Sequence, residues 1–406
     1  MKIVIITTGQ PSVNPRVVKE ADALSAKGFD VTVLFCFWIQ WASDADKTLL
    51  SKVKWHYVLV GGQPDKNRLL YYHTKARFKV NAALNKRIGN RFLFAERAQA
   101  RCFDELLQTA KSIKADWYIA HNLGALAVAT TAATFHSAAS GFDFEDYHRA
   151  ENTQLATYKQ KRIVYLEQKY IPSLSYITTS SPLITKHVKI DFPAFSKPLI
   201  TILNCFPITQ QTNSGNPSID NKILHLFWFS QTVGANRGLE LVVHALKKIN
   251  NPSIHLTLAG RCDDKMEAFI KQNAGGIKGC IHLAGIIQPE ALPAFAASFD
   301  VGLATELNTP LNRNICLTNK IFTYLIAGIC ILASDTDAQK DFMSCHKGIG
   351  LLYKNDDVDQ LAAVIKLLYF DKVFLQQCKD NSRLFAKNEM NWEMESQKLV
   401  SLLLNK

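Results

Sequence analysis

The sequence predicts an α/β protein of two successive domains, each built around a parallel sheet. Three observations carry that prediction. The chain has 406 residues and a mass of 45.5 kDa, more than one compact core usually holds. Short apolar runs alternate with helical patterns through its first half. A polar stretch then interrupts the alternation, after which it starts again. The composition, 48% hydrophobic and 20% charged, is that of a globular protein, and no segment approaches the apolar length needed to span a bilayer.

The opening run KIVIIT reads as a strand, Pro15 to about Lys27 as a helix, and VTVLFC from Val31 as a second strand. Pro15 suits a first helical turn, Gly28 suits a helix stop, and the strands are apolar on both faces, as buried parallel strands are. Further strands are predicted at Asp116–His121, Gly141–Phe144 and Tyr176–Thr179, with helices between them. From Asn204 to Asn221 the chain is polar, contains prolines and reads as the interdomain linker. Beyond it, ILHLFWFS from Ile223, IHLTLAG from Ile254, IHLAG from Ile281, DVGLAT from Asp300 and ICILAS from Ile329 read as strands. A helix is predicted from Asn236 to about Ile249, and the chain is predicted helical from about Asp371 onward. The domains are placed at 1–205 and 206–385, with a closing helical segment at 386–406. Each half is Rossmann-like, and the carboxyl ends of both sets of strands aim polar groups at one cleft.

The amino-terminal MKIVIITTGQ lacks the long hydrophobic region and cleavage site of a signal peptide and reads as the first strand. Nine cysteines lie scattered between Cys36 and Cys378 with no C-x-x-C pair and no clustered histidines. Reduced thiols in a cytoplasmic protein are expected, and no zinc site. The formal charge is +12, from 47 Lys+Arg against 35 Asp+Glu. The excess is concentrated between Lys66 and Arg101, where cations interleave with Leu69, Leu70, Tyr71, Tyr72, Phe78, Phe92 and Phe94. Such a stretch suits an anionic membrane surface, which would make the protein peripheral on the inner face of the cell membrane, or else a solvated helical face over an ordinary core. Nucleic acid is not an expected partner, because no RNP-type, helix-turn-helix or zinc-finger signature accompanies the charge.

In parallel sheets, ligands bind at the carboxyl ends of strands, where helix amino termini present N–H groups. In the first half the candidates are Gly9 after the first strand, His121 after DWYIA, and Glu145 and Asp146 after GFDF. In the second they are Ser230, Gln231, Arg237, Glu306, and the run Leu317–Lys320 that opens a helix ending at Gly328. No G-x-G-x-x-G follows the first strand and no P-loop is present, which disfavours a dinucleotide dehydrogenase and favours one mononucleotide-type ligand. Arg237, placed early in a helix beside Asn236 and Gly238, suits a phosphate contact; in isolation an exposed surface arginine is the commoner reading. Lys320 sits in a first helical turn, where the dipole disfavours a cation unless an anion is near, and so leans toward a diphosphate contact. His121 reads as a cleft residue or a satisfied core histidine, and Glu145 and Asp146 as acceptor-positioning groups or helix caps. Asp44-Ala45-Asp46 and Asp335-Thr336-Asp337 match a D-x-D metal pattern by letter. The first lacks a preceding buried strand and the second fits a strand-to-helix loop with an N-cap aspartate, so no metal is expected.

Taken in order, the segments resemble GT-B fold retaining glycosyltransferases of the large family 4, which includes many bacterial surface-polysaccharide enzymes. The likeness spans nearly the whole chain. NPRVVKEADALSAKGFDVTVL resembles the family's first helix and second strand, and AHNLGALAVA with GFDFEDYHRAEN its next two active-site loops. FWFSQTVGANRGLELVVHAL is similar to its phosphate-binding stretch, LTNKIFTYLIAGICILASD to its "NKLFEYLAAGKPVIAS" segment, and MNWEMESQKLVSLL to its closing helix.

The resemblance implies two domains facing across a cleft and a last helix that crosses back to the first. It implies transfer of a sugar from a nucleotide diphosphate donor to a glycan or lipid-linked acceptor, with retained configuration, no obligatory metal and no cofactor. The implied donor-binding set is Gly9, Ser230, Gln231, Arg237, Glu306, Asn319, Lys320 and Thr323. His121 is implied to contact the transferred sugar, and Glu145 or Asp146 to orient the acceptor hydroxyl. The sequence departs from the pattern in two ways. Ile315 and Thr323 occupy the places of the family's Glu-x7-Glu, whose second carboxylate contacts the donor ribose, and Ser230-Gln231-Thr232 replaces an arginine at the start of the phosphate stretch. Glu306 or Asn319 is expected to take the ribose contact. Two other functions fit the same architecture: a sugar-nucleotide 2-epimerase, and a degenerate non-catalytic sugar-nucleotide-binding protein.

Overall fold

In a computed structural model of the chain, which describes residues 1–154, 156–211 and 222–404, the run KIVIIT forms β1 (Lys2–Thr7), with Ile3 to Ile6 wholly buried. It is joined by β2 (Asp30–Cys36), β3 (His56–Val60), β4 (Trp117–His121), β5 (Ala139–Phe144), β6 (Tyr176–Thr179) and β7 (Leu199–Thr201). The seven strands run in the order β3-β2-β1-β4-β5-β6-β7, and every adjacent pair is parallel. Parallel neighbours need crossover segments, and the helices supply them. The first is α1 (Pro15–Ala26), which starts with Pro15 behind an Asn14 cap that accepts from the Val17 N–H. Also used below are α2 (Gln40–Leu50), α3 (Arg68–Ile88) and α4 (Leu123–His136).

The second half repeats the plan with β8 (Leu224–Val233), β9 (Ile254–Cys262), β10 (Ile281–Gly285), β11 (Val301–Ala304), β12 (Cys330–Ser334) and β13 (Gly350–Tyr353). Their order is β10-β9-β8-β11-β12-β13, again parallel throughout. Helix α5 (Leu239–Ile249) buries Leu239, Val242, Val243 and Leu246, the i, i+3, i+4, i+7 stripe of a core-facing helix, in the cluster that holds Trp228, Leu256 and Leu303. Each such side chain contributes about 1.5–3 kcal/mol by leaving water. Three further helices are α6 (Asn319–Ala327), α7 (Asp337–Cys345) and α8 (Trp392–Leu404).

The chain divides into Met1–Ile202 with Lys398–Lys406, and Leu203–Gln397. The expected boundaries after 205 and before 386 therefore shift. Leu203 donates its N–H to the Glu395 carboxylate at 2.8 Å and Ile208 donates to Glu393, so the chain just past Ile202 is fastened to the first turn of α8. The expected linker is described only as far as Gln211; the remainder lies outside the described residues.

Three strands escaped the sequence reading: β3, β7 and β13. Each is the last strand at one end of its sheet, and none has the run of fully buried residues that marks β1 or β12. An edge strand covered on fewer sides needs fewer apolar residues, so it loses the signal that central parallel strands give.

Candidate functional site

Parallel sheets accept ligands where the strand order reverses, because the helices following the two central strands leave on opposite faces. In the first unit that point lies between β1 and β4. Asn122 joins the two strand ends, accepting from Thr8 Oγ1 at 2.8 Å and donating to Thr7 Oγ1 at 3.0 Å. Gly9 follows, half-buried, with its N–H donated to Thr7 Oγ1 at 3.3 Å and its carbonyl accepting from the Cys36 N–H.

His121 closes β4, but its ring has no solvent exposure. Its Nε2 lies 3.0 Å from Glu20 Oε2, and its Nδ1 3.6 Å from Asp143 Oδ2. Arg16 completes the cluster with two 2.7 Å bonds to Asp143 and a 2.8 Å bond to the Ile202 carbonyl. Burial alone depresses the imidazole pKa; the Glu20 carboxylate, its hydrogen bond and Asp143 outweigh that, and the pKa is raised. Burial likewise works against the Asp143 carboxylate, yet Arg16 and His121 hold its pKa below the ordinary value. His121, of which a sugar contact is expected, is wholly buried and paired with Glu20. Glu20, His121 and Asp143 present ligand-type atoms within 4.8 Å of one another, but the cation among them is the Arg16 guanidinium.

Glu145 and Asp146 leave β5 half-buried. Neither caps a helix, because Tyr147 holds the cap position of the short turn that follows, His148–Ala150, and the next helix, Thr157–Tyr170, starts behind Ala156. Burial, then Asp146 and Asp143, push the Glu145 carboxyl up to about 7. A carboxyl raised this way is a mark of functional sites.

In the second unit the order reverses between β8 and β11. Ser230 and Gln231 lie in an irregularity of the β8–β9 pairing. Gly260, at φ +136°, lets the β9 backbone approach Ser230: a Cβ there would stand 2.1 Å from the Ser230 carbonyl. The expected helix start at Asn236 is corrected. Asn236 and Gly238 both adopt left-handed φ, 60° and 75°, and α5 begins at Leu239. Arg237 therefore stands in a turn ahead of the helix. That turn is seated on the end of β11, where Thr305 Oγ1 donates to the Arg237 carbonyl at 2.6 Å and accepts from Trp228 Nε1 at 2.9 Å. The Arg237 guanidinium is half-buried and makes no hydrogen bond or ion pair among the described residues. Arg313, which the sequence reading missed, braces the same turn by donating to the Asn236 carbonyl at 2.9 Å.

Lys320 lies over the Trp228 ring at 5.2 Å and 2.7 Å from Glu306 Oε1. Burial disfavours the Glu306 carboxylate, but Lys320, by charge and hydrogen bond, and Thr318 keep its pKa below the ordinary value. Lys320 is thus already paired, where a free diphosphate ligand was expected. Because Thr318 turns its hydroxyl to Glu306 at 3.3 Å, it does not cap α6, and Gly238 offers no side chain to cap α5. Two helix amino termini are left without side-chain caps, and such ends attract anions. Asn319 is exposed and accepts from Asn204 Nδ2 at 2.6 Å. Thr323, expected in the donor-binding set, is fully buried and donates its hydroxyl to the Asn319 carbonyl at 2.9 Å; Ile315 is buried as well. A concavity of about 250 Å³ opens beside the turn, lined by Asn236, Gly238, Glu240, His244, Tyr353 and Asn355 among others.

Neither D-x-D stands at a strand end as a free pair. Asp46 lies in α2 and accepts from Gln10 Nε2 and the Ser12 N–H. At α7 the cap is Thr336, which accepts from the Gln339 N–H, and the expected aspartate cap is corrected.

Residues 224–371 match the family described as "Glycosyl transferases group 1". No curated protein matches the chain. Solved structures similar to it include Anabaena HepE in complex with UDP-glucose, at a TM-score of 0.71 and 15% identity over 100% of each chain. Sucrose-phosphate synthase from Thermosynechococcus elongatus aligns at 0.69 and 13%, over 100% of this chain and 98% of that one. S. aureus TarM in complex with fondaparinux, alpha-GlcNAc-glycerol and UDP aligns at 0.68 and 11%, over 99% of each. The fold, two parallel-sheet α/β domains, is that of GT-B glycosyltransferases, with a glycosyl transferases group 1 match in the second unit.

Proposed function

We propose that this chain is a glycosyltransferase that moves a sugar from a nucleotide diphosphate donor to a glycan or lipid-linked acceptor, with retention at the anomeric carbon. The observation that carries the reading is the Arg237 guanidinium, without a partner among the described residues, at the reversal point of the second sheet beside the uncapped starts of α5 and α6. A departing diphosphate is the group such an arrangement suits. As the bond from the anomeric carbon to the diphosphate oxygen breaks, its electron pair stays with the phosphate, and fixed cations and N–H dipoles stabilise that charge. The acceptor oxygen forms the new bond, and its proton passes to the departing phosphate oxygen. The reading assigns no step to a metal ion.

In the proposed roles, Arg237 and the amides opening α6 hold the diphosphate. Lys320 acts through Glu306, which it keeps ionised at the same strand end. Glu145 and Asp146 orient the acceptor hydroxyl. HepE, solved with UDP-glucose, makes UDP-sugars the first donors to test.

Calorimetric titration of UDP-glucose, and of a panel of other nucleotide sugars, into wild type and Arg237→Ala tests the donor grip. Loss of one charge-assisted contact weakens binding about 10- to 100-fold. Equal affinity in the two proteins sinks the phosphate role. The buried Ile315 and Thr323 at the positions of the missing carboxylates favour a second reading, a sugar-nucleotide binder without turnover. Donor binding with neither transfer nor donor hydrolysis across an acceptor panel supports that one.

A further inference from the structure

Helix α3 buries polar residues, with Tyr71 and Phe78 half-buried beside them, and exposes apolar ones. Its protein-facing side carries Thr74, Asn81 and Asn85, all buried, while Leu69 is 89% exposed and Val80 57% exposed. Scattered exposed apolar residues are ordinary, but buried polar residues facing inward opposite a row of exposed apolar ones are not. The exposed residues are in register. Leu69, Tyr72, Ala76, Val80 and Ala83 follow one another at spacings of three and four, which is one line along a helix of 3.6 residues per turn. Arg68, Lys75, Lys79 and Lys86 form a second line about 90° to one side by the same 100° per residue. None of these four makes an ion pair among the described residues; Arg68 and Lys75 lie instead over the Tyr72 and Tyr71 rings.

A second element reaches the same surface. Phe37 packs edge-on against Tyr71 at 5.6 Å, which brings the loop after β2 to the amino end of α3, and Trp38 in that loop is 73% exposed. No helix among the described residues is long and apolar enough to cross a membrane.

We propose that this face of the first unit docks on an anionic lipid bilayer, with α3 lying in the interface plane. A bilayer surface is the partner that offers both hydrocarbon for the apolar line and negative charge for the row beside it. A nucleic acid supplies the charge without the hydrocarbon, and a second copy of the same face sets cations against cations. Trp38 at the rim suits the headgroup layer, where amphipathic rings accumulate.

The test is sedimentation of the full chain with vesicles of phosphatidylcholine alone and with 30% phosphatidylglycerol (about three in ten headgroups anionic, enough for a surface potential). Wild type is expected to pellet with the anionic vesicles and to be released by salt at about 1 M, where the Debye length falls to about 3 Å. Lys75→Gln/Lys79→Gln should weaken binding about 25-fold, at about five-fold per cation. Leu69→Ser/Val80→Ser should weaken it even though it keeps every charge, and circular dichroism confirms that both variants stay folded. Equal recovery with neutral and anionic vesicles overturns the proposal. So does unchanged binding of the serine variant, which would leave a charge-only surface of the nucleic-acid kind. Self-association of wild type without vesicles, abolished by the serine variant, overturns it in favour of a second copy.

Discussion

Arg16 and Asp143 meet through two parallel bonds of 2.7 Å, Nε to Oδ2 and Nη2 to Oδ1, with neither side chain exposed to solvent. The pair ties the first helix to the fifth strand, 127 residues apart in sequence, and its free corners are filled: Thr178 donates to Asp143 at 2.7 Å and the Ile202 carbonyl accepts from Arg16. Two buried charges held this way are costly to separate, because removing one leaves the other without water or partner. Arg16→Met is therefore expected to lower stability by about 3–5 kcal/mol in urea denaturation, and Asp143→Asn by a similar amount. A double Arg16→Met/Asp143→Asn that costs as much as the two singles added would show that the pair is not coupled.

The Lys320–Glu306 pair gives a pH-dependent version of the same test. The Glu306 pKa is depressed in the folded protein, so its stabilisation is present above the ordinary value of 4.5 and is lost as pH falls below it. Lys320→Met leaves that carboxylate buried and unpaired. The deficit of the variant should be about 3–5 kcal/mol at pH 7 and should shrink by pH 4, where Glu306 takes up a proton. Urea midpoints at the two pH values, with an unchanged gap, would argue against the pairing.

For Glu145 the sign is opposite. Its folded pKa is raised to about 7 from 4.5, so the native state binds more protons between those values and loses stability as pH rises through that window. Glu145→Gln removes the titration. Thermal melting should show the variant gaining on wild type by about 1–3 kcal/mol between pH 4.5 and pH 7.5. Parallel melting curves across that range would exclude the raised carboxyl.

Gly238 sits at φ +75°, and a Cβ on it would stand 2.5 Å from the Thr305 carbonyl oxygen. Gly238→Ala is expected to cost about 1–3 kcal/mol and to displace the turn that presents Arg237. Donor affinity should fall with stability. A variant that loses stability but binds UDP-glucose as wild type does would separate the turn from the donor grip.

Much of the fold was legible because central parallel strands announce themselves: KIVIIT, VTVLFC and ICILAS are apolar throughout and buried throughout. The strand ends were equally legible, which brought Arg237, Glu306 and Lys320 to one region of the second unit. What the sequence could not give was pairing. Nothing in the letters says that His121 finds Glu20, 101 residues away, or that Lys320 finds Glu306 before any ligand does. Nor did the pattern distinguish Arg237 in a helix from Arg237 in a turn, because Asn236 and Gly238 take left-handed backbone angles that only their small or polar side chains permit. The basic segment was visible as composition. That its helix turns asparagines inward required coordinates.

Thr318 donates its hydroxyl to Glu306, and α6 begins with no side chain over its first amides. An end left this way has amides that an anion can bond. In hydrogen exchange, the amides from Asn319 to Ile321 are then the ones that report occupancy: fast in the free protein, slowed when an anion seats on them. The second unit would carry its own indicator of ligand, readable without any knowledge of sugar or acceptor.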